Sequence, residues 1–177
     1  ATVNYNPEDH LEKKEIRRVD EFIQFGLIAS NECIKDSGLD LGTEDLNKIG
    51  VSIGSGIGGL GTIEENKLLL NNKGPKKISP FFVPGAISNM VSGYVSLKFG
   101  LKGPNISIAS ACSSASHSIG FSFRSISYGD ADIMLTGGAE MATTPLGMSG
   151  FNAAKALSTN NENPQSASRP WDKGRDG

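Results

Sequence analysis

The stretch that decides the fold is residues 106–120, which read ISIASACSSASHSIG. Its β-branched start predicts a strand over residues 105–110, and the segment from Ser113 to Tyr128 predicts a helix. Cys112 then lies where the strand gives way to the helix. Unpaired N–H groups and a partial positive charge at a helix N-terminus favour a thiolate and can hold an oxyanion. The pattern suits a nucleophile, and a buried structural cysteine fits it about equally well.

Helices and strands alternate on both sides of this stretch. Helical spacing of apolar residues predicts a helix over Glu15–Ser37, and IGVSIG predicts a buried strand at residues 49–54. The other predicted elements are a helix ending near Leu70, a helix from Pro84 to Phe99, a strand at 132–136 and a short helix at 151–157. Residues 71–80, 137–150 and 158–177 are predicted to be irregular. This alternation predicts an α/β layered domain with a largely parallel sheet.

Composition excludes several classes of function. A formal net charge of −2 and a pI of about 5.7 do not favour binding to nucleic acid or to an anionic membrane. The chain lacks an apolar run of roughly 18 residues, so no membrane span is expected. Two cysteines, Cys33 and Cys112, do not make a disulfide scaffold. We therefore expect a reducing compartment, the cytosol, and no metal site.

The glycine-rich segment GSGIGGLG at residues 54–61 does not match a nucleotide-binding loop. It lacks the Lys-Ser/Thr pair of a P-loop and the acidic residue that follows a dinucleotide fingerprint. Close backbone packing beside a pocket is the favoured interpretation. His117 follows Cys112 by five positions, which rotates it away on a helix, so a structural histidine is favoured over a catalytic partner. His10 is expected to be solvated.

Several long motifs, in order and in register, resemble the β-ketoacyl-[acyl-carrier-protein] synthases, most closely the KAS II type. They cover nearly the whole chain from about Lys13. The motifs are GSGIGGLGTIEEN (54–66), KKISPFFVP (76–84), GPNISIASACSSASHSIG (103–120), YGDADIMLTGGAE (128–140), GFNAAKALS (150–158) and SRPWDKGRDG (168–177).

The resemblance implies a thiolase-like layered fold made of two similar α/β halves. Residues 1–177 would then be most of the N-terminal half, without its first strand and without the C-terminal half. We expect the chain to be a piece of a longer protein. In the family, the second half carries two catalytic histidines, a lysine and a further oxyanion donor, none of which has a counterpart here.

The resemblance also implies the chemistry, a ping-pong acyl transfer. Cys112 would accept an acyl group as a thioester from acyl-ACP. Malonyl-ACP would then lose carbon dioxide, and its carbanion would attack that thioester to give β-ketoacyl-ACP. The reaction needs no organic cofactor. The implied partners are the acyl carrier protein and a second copy of the chain, since the family is homodimeric.

Carried over by position, Ile57 matches the residue that gates the acyl channel in the KAS II type, where the KAS I type has glycine. Phe151 matches a pocket residue near the nucleophile, and Phe82 and Val83 match residues that line the acyl pocket of the neighbouring subunit. Six basic positions match the family's carrier-protein dock: Lys14, Arg17, Arg18, Lys76, Lys77 and Lys155. Without the resemblance, such charges are ordinary solvated residues.

Three alternatives stay open on the sequence alone. The first is another condensing enzyme of the same fold, a KAS I type or a polyketide ketosynthase, against which Ile57 argues. The second is a truncated and catalytically inert chain, which the missing histidines allow. The third is a cysteine hydrolase, which would need a base near Cys112 that the sequence does not offer.

Overall fold

The computed structural model describes residues 4–177. The chain divides into two compact units, the first running to Met141 and the second covering Ala142–Gly177. The described β-sheet lies wholly in the first unit.

The first unit contains a parallel sheet of three strands in the order β2-β1-β3. The strands are β1 (Ile49–Gly54), β2 (Asn105–Ile106) and β3 (Ile133–Gly138). All six residues of β1 are buried, as expected for the central strand of a sheet covered on both faces. The parallel α/β arrangement and the strand at residues 49–54 are confirmed, and β3 begins one residue later and ends two residues later than the strand predicted at 132–136.

The strand predicted over residues 105–110 is wrong in length, because only β2 pairs. Two serine hydroxyls bond the backbone groups of Ile53 and Ile106 that a longer β2 would use to pair with β1. Ser92 Oγ accepts from the N–H of Ile53 at 2.9 Å and donates to the carbonyl of Ile106 at 2.9 Å. Ser107 Oγ donates to the carbonyl of Ile53 at 2.6 Å. The backbone after Ile106 is thereby free to turn towards Cys112.

The long N-terminal helix predicted from apolar spacing is wrong at its start. The structure has two helices there, α1 (Lys13–Ile16) and α2 (Glu21–Ser37). Asp20 caps α2 by accepting from the N–H of Phe22 at 3.2 Å, and its own N–H donates to the carbonyl of Gly85 at 3.0 Å. An extended capping residue cannot also be an interior helical residue, so the chain breaks here.

The glycine-rich segment leads into α3 (Leu60–Lys73). The helix predicted from Pro84 to Phe99 is two helices in the structure, α4 (Phe82–Ala86) and α5 (Met90–Phe99). The N–H of Gly59 donates to the carbonyl of Ala86 at 2.8 Å. That carbonyl would otherwise continue the helix, so the glycine-rich segment ends α4. The start of the segment predicted as loop, residues 71–80, is helical because α3 continues to Lys73.

The helix predicted after Cys112 is confirmed as α6 (Ser114–Ser127). Its first turn lies against the end of β1. A Cβ atom on Gly54 would stand 2.7 Å from the carbonyl oxygen of Ser114 and 2.8 Å from that of Ile108. Only glycine allows this approach, which places the start of α6 directly beside the glycine-rich segment.

Helices α2 and α5 cover the face of the sheet opposite α6 and form the apolar core with the strands. Burial of their apolar side chains supplies most of the stabilisation on this face. The largest fully buried apolar residues are Phe22, Ile23, Leu27, Val51, Val91 and Val95.

The second unit begins with α7 (Pro145–Ala153), so the helix predicted at 151–157 and the loop predicted at 137–150 are both misplaced. Pro145 occupies the first helical position, and Thr144 Oγ1 caps the helix by accepting from the N–H of Gly147 at 3.1 Å. The proline and the threonine cap start the helix at Pro145 although it contains glycine at positions 147 and 150.

The tail at residues 158–177 is irregular, as predicted, apart from a 3-10 turn at Pro164–Ser166. Asp176 organises it. Its carboxylate accepts from Ser158 Oγ at 2.7 Å and from the N–H of Thr159 at 3.1 Å, and it pairs with Arg169 at 2.9 Å. The bonds from Ser158 and Thr159, together with the Arg169 charge, hold the pKa of Asp176 below its ordinary value.

Candidate active site

Cys112 lies in a 3-10 turn, Ala111–Ser113, immediately before α6, and its side chain is exposed. The turn is held in an uncommon conformation, because Ala111 has φ +54°, in the left-handed region. Ser114 Oγ secures it by accepting from the N–H of Ser110 at 2.9 Å and donating to the carbonyl of Ala111 at 2.7 Å. The buried Ser114 therefore sets the backbone that presents the thiol.

A second set of hydroxyl contacts surrounds the same turn. Ser113 Oγ donates to the carbonyl of Ser110 at 2.8 Å, and Ser110 Oγ lies 2.6 Å from Nδ1 of His117. Within residues 4–177, no hydrogen bond joins His117 to Cys112. The hydrogen-bond partner of His117 is Ser110, and its structural role stays a prediction.

The glycine-rich segment that follows β1 is held by a carboxylate that the sequence reasoning missed. Glu140 Oε2 accepts from the N–H of Gly56 at 2.7 Å and from that of Ile57 at 2.8 Å. Its Oε1 accepts from the N–H of Gly58 and from Ser55 Oγ, each at 3.2 Å. The available signal was positional: β1 and β3 are parallel, so the residues that follow each of them meet at one edge of the sheet.

The segment also touches the nucleophile turn. A Cβ atom on Gly56 would stand 3.0 Å from Glu140 Oε2 and 3.4 Å from the Cα of Ala111. Gly56 therefore lies between the carboxylate and the residue that precedes Cys112. The close backbone packing predicted for these glycines is confirmed by these contacts.

The residues expected in the acyl pocket lie in both units. Ile57 is 43% exposed, and the segment that carries it packs on α4 through the Gly59 to Ala86 bond. Helix α4 holds Phe82, which is half-buried, and Val83, which is exposed. The Ile57 segment therefore lies beside the helix that carries Phe82 and Val83, whose expected place in the neighbouring subunit's pocket stays a prediction. Phe151 is exposed on α7 of the second unit.

Five of the six basic residues expected at the carrier-protein dock lie in the first unit. Arg18 stacks on Phe81, with its guanidinium carbon 4.7 Å from the ring centroid. Since Phe81 immediately precedes α4, this contact links the α1–α2 connection to that helix. The remaining four are exposed: Lys14 on α1, Arg17 beside it, and Lys76 and Lys77 in a 3-10 turn, Pro75–Lys77. Lys155 is exposed at the end of α7, with φ +55°.

Other cations near α1 are paired. Lys13 Nζ lies 3.2 Å from Glu8 Oε2, and Lys98 Nζ lies 2.8 Å from Glu15 Oε1. Partial burial opposes ionisation of Glu15, but bonds from Lys98 and from the backbone N–H of Glu12, with the Lys98 charge, outweigh it and lower its pKa. Lys98 is thus neutralised locally, whereas Lys14 and Arg17 form no salt bridge within the described range.

Among residues 4–177 we find no group of three or more His, Cys, Asp or Glu side chains arranged to hold a metal ion. Within the same range, no helix is both long and apolar enough to cross a bilayer.

Comparison with known proteins gives a consistent result. The sequence profile of the family described as "Beta-ketoacyl synthase, N-terminal domain" matches residues 6–177. The chain is 56% identical over 173 residues to 3-oxoacyl-[acyl-carrier-protein] synthase 2 of Vibrio cholerae, covering 98% of this chain and 42% of that protein. The enzyme of the same name from Coxiella burnetii is 53% identical over 174 residues, with 98% and 42% covered. The chain thus spans less than half the length of these relatives.

Solved structures resemble the fold as well. A β-ketoacyl synthase from Burkholderia phymatum matches with a TM-score of 0.86 and 27% identity, over 98% of this chain and 43% of that one. A structure of a type II polyketide synthase acyl-carrier protein in complex with its ketosynthase matches with a TM-score of 0.82 and 25% identity, over 88% and 46%. The thiolase-like fold expected from the motifs is therefore confirmed for this part of such a protein.

Proposed function

This chain belongs to the β-ketoacyl synthase family, whose N-terminal domain it carries, and from that premise we propose that it is part of a condensing enzyme of type II fatty acid synthesis. Relatives named 3-oxoacyl-[acyl-carrier-protein] synthase 2, at 47–56% identity, support this function. The observation that carries it is the turn at Ala111, which presents an exposed Cys112 at the start of α6.

In the first half-reaction, Cys112 Sγ attacks the carbonyl carbon of acyl-ACP. The bond from that carbon to the carrier's sulfur breaks as the new thioester forms, and the carrier leaves as its thiol, with a proton equivalent to the one that Cys112 loses. The N–H of Cys112 forms no hydrogen bond with another residue of the range 4–177. It can therefore donate to the oxyanion, assisted by the N-terminal end of α6.

The second half-reaction decarboxylates malonyl-ACP and needs donors for the enolate oxygen. The histidines of this chain are His10 and His117. His10 is exposed near the start of the chain, and His117 bonds Ser110. Condensation therefore requires groups that lie outside these 177 residues, as the family resemblance implies.

We further propose that the partners are acyl-ACP, malonyl-ACP and a second copy of the chain, that the enzyme works in the cytosol and that it needs no cofactor. The polyketide ketosynthase that resembles this fold was solved with its acyl-carrier protein, which supports the carrier as partner. Ile57 is proposed as the acyl gate and Phe151 as a pocket residue near the nucleophile, and Phe82 and Val83 are proposed to line the acyl pocket of the neighbouring subunit. The presence of isoleucine at position 57 supports the KAS II type over the KAS I type.

Acylation of the complete protein tests the nucleophile. Incubation with acyl-ACP, followed by peptide mass spectrometry, should place the acyl group on the peptide that contains Cys112. Cys33 is an internal control, since it too is exposed and lies on α2. Cys112→Ser should abolish the adduct and Cys33→Ser should leave it intact. An adduct on Cys33, or on neither thiol, would contradict the proposed function.

Charge reversal tests the dock, formed by Lys14, Arg17, Arg18, Lys76, Lys77 and Lys155. Arg17→Glu/Lys76→Glu spares Arg18, whose stacking on Phe81 also serves packing. We expect the variant to raise the KM for acyl-ACP about tenfold at low salt, and less at high salt, where charges are screened. Reaction with a small pantetheine thioester should not change. The control Lys35→Glu/Lys102→Glu reverses two exposed charges elsewhere. An unchanged KM for acyl-ACP would mean that these residues are ordinary surface charges and do not bind the carrier protein.

A further inference from the structure

The carboxylate of Glu140 accepts four hydrogen bonds from the segment that carries Ile57. Three consecutive backbone N–H groups, from Gly56 to Gly58, converge on it, and Ser55 adds a hydroxyl. Two of the four bonds are no longer than 2.8 Å, as expected when the acceptor is ionised. We propose that Glu140 is a positioning residue: it fixes the backbone at Ile57 and thereby decides how this side chain screens acyl chains by length. The inference rests on the proposed function.

Ile57 has little else to hold it in place. Its side chain is 43% exposed, so packing restrains it only partly. Gly56 and Gly58 flank it, and Gly58 has φ +80°. Glycine neighbours allow a wide range of backbone conformations. A branched side chain between two glycines can act as a gate of defined position only if its backbone is fixed, and the Glu140 bonds do this.

Glu140 is well placed for this role because it follows β3 by two residues. Gly54, the last residue of β1, pairs in register with Gly138, the last residue of β3. The N–H of Ala139 donates to the carbonyl of Gly54 at 3.0 Å, which joins the two strand ends. The carboxylate is therefore attached just beyond the joined strand ends, and its bonds hold the Ile57 segment to this edge of the sheet.

The same segment is next to the nucleophile. Gly56 lies between Glu140 Oε2 and Ala111, the residue before Cys112. A carboxylate that fixes this segment thus sets the distance between the acyl gate and the thiol. A residue that only stabilised the fold would affect all acyl chains alike, whereas a residue that positions the gate must alter the ratio between long and short chains.

The experiment uses the complete protein and measures kcat/KM for acylation of Cys112 by a long-chain and a short-chain acyl-ACP. Glu140→Gln keeps the size of the side chain but turns amide hydrogens towards N–H donors. We expect it to change the long-to-short ratio about tenfold, in the same direction as Ile57→Gly. In the Ile57→Gly background, Glu140→Gln should cause no further change, because no side chain is left to position.

Two further variants complete the design. Glu65→Gln makes the same charge change on an exposed residue of α3 and should leave the ratio unchanged. Gly56→Ala places a methyl group 3.0 Å from Glu140 Oε2 and should reproduce the Glu140→Gln ratio, which covers the case in which Glu140→Gln does not fold. Hydrogen exchange of the amides of residues 56–58 should quicken in both loop variants and stay slow in Glu65→Gln.

The outcomes separate this inference from the proposed function. If the wild-type protein is not acylated at Cys112, the proposed function fails. If it is acylated, and Glu140→Gln lowers kcat/KM equally for both chain lengths, Glu140 is a structural residue and the inference is wrong. A ratio that shifts equally with and without the Ile57 side chain would also overturn it. Unchanged amide exchange at residues 56–58 would show that the carboxylate does not fix this segment.

Discussion

The two faces of the sheet are covered by helices of opposite character. On one face, α2 buries large apolar side chains such as Phe22, Ile23 and Leu27. On the other face, α6 buries serines. These are Ser114, Ser118, Ser122 and Ser125. They face the small or polar residues of the strands, among them Ser52 and Thr136, which pair in register.

The apolar side of α6 points away from the sheet. Three large apolar residues of α6 are exposed, Ile119, Phe123 and Ile126, and Phe121 is half-buried. Within these 177 residues, which span less than half the length of the relatives, α6 thus leaves exposed the apolar side that a helix normally buries. Buried small side chains let α6 approach the sheet closely and bring Cys112 to the end of β1, but they contribute little apolar area. Within these 177 residues, apolar burial should therefore stabilise mainly the α2 face, whereas the α6 face sets the geometry around Cys112.

The largest expected effect tests the α2 face. Phe22→Ala removes a fully buried ring, 0% exposed, and should cost about 3–5 kcal/mol in the free energy of unfolding. Urea unfolding of the 177-residue chain, followed by circular dichroism, measures it. A loss below about 1 kcal/mol would mean that the core tolerates the cavity, and the contrast between the faces would fail.

A smaller effect is expected at Ser118, in the middle of the α6 face. This residue is 0% exposed, and its hydroxyl has no hydrogen-bond partner among the described residues. Ser118→Leu should overpack the close contact with the sheet and cost about 1–3 kcal/mol. Ser118→Ala removes an unpaired polar atom and should be nearly neutral. If leucine were stabilising, the contact would be loose, and the argument from close approach would be wrong.

The smallest effect is expected at Phe123, the aromatic counterpart of Phe22 on the outer side of α6. It is 72% exposed, so Phe123→Ala should change the unfolding free energy of the 177-residue chain by no more than about 0.5 kcal/mol. The same urea titration compares the two phenylalanines directly. A loss at Phe123 as large as that at Phe22 would show that the outer side of α6 is covered in solution.

Much of the fold could be predicted from local patterns. Strand β1 and helix α6 were predicted within one residue at each end, because each is a continuous run of residues with a single periodicity. The errors occur where distant groups intervene. The breaks before α2 and after α4 are made by bonds to Gly85 and from Gly59, and β2 ends early because serine hydroxyls occupy its ladder.

The residues of the candidate site also differ in whether local sequence could identify them. Cys112 was identified from its position between a strand and a helix, and Ile57, Phe82 and the basic residues from family motifs. Glu140 stands in one of the family motifs, but nothing in its local sequence distinguishes it from a solvated acidic residue. Its role depends on bonds to residues 82–85 positions away in the chain, and no local pattern encodes such a contact.

The sequence by itself determined the α/β order, the family, and the place of a cysteine at the start of a helix, since these follow from periodicity and contiguous motifs. Only the tertiary structure decided which face of α6 is buried, because serines and apolar residues on that helix both recur at helical spacing. It also decided that β1 lies beside β3, which brings Glu140 to the glycine-rich segment. Strand order depends on long-range pairing and packing, and these reward contacts that no short stretch of chain can make alone.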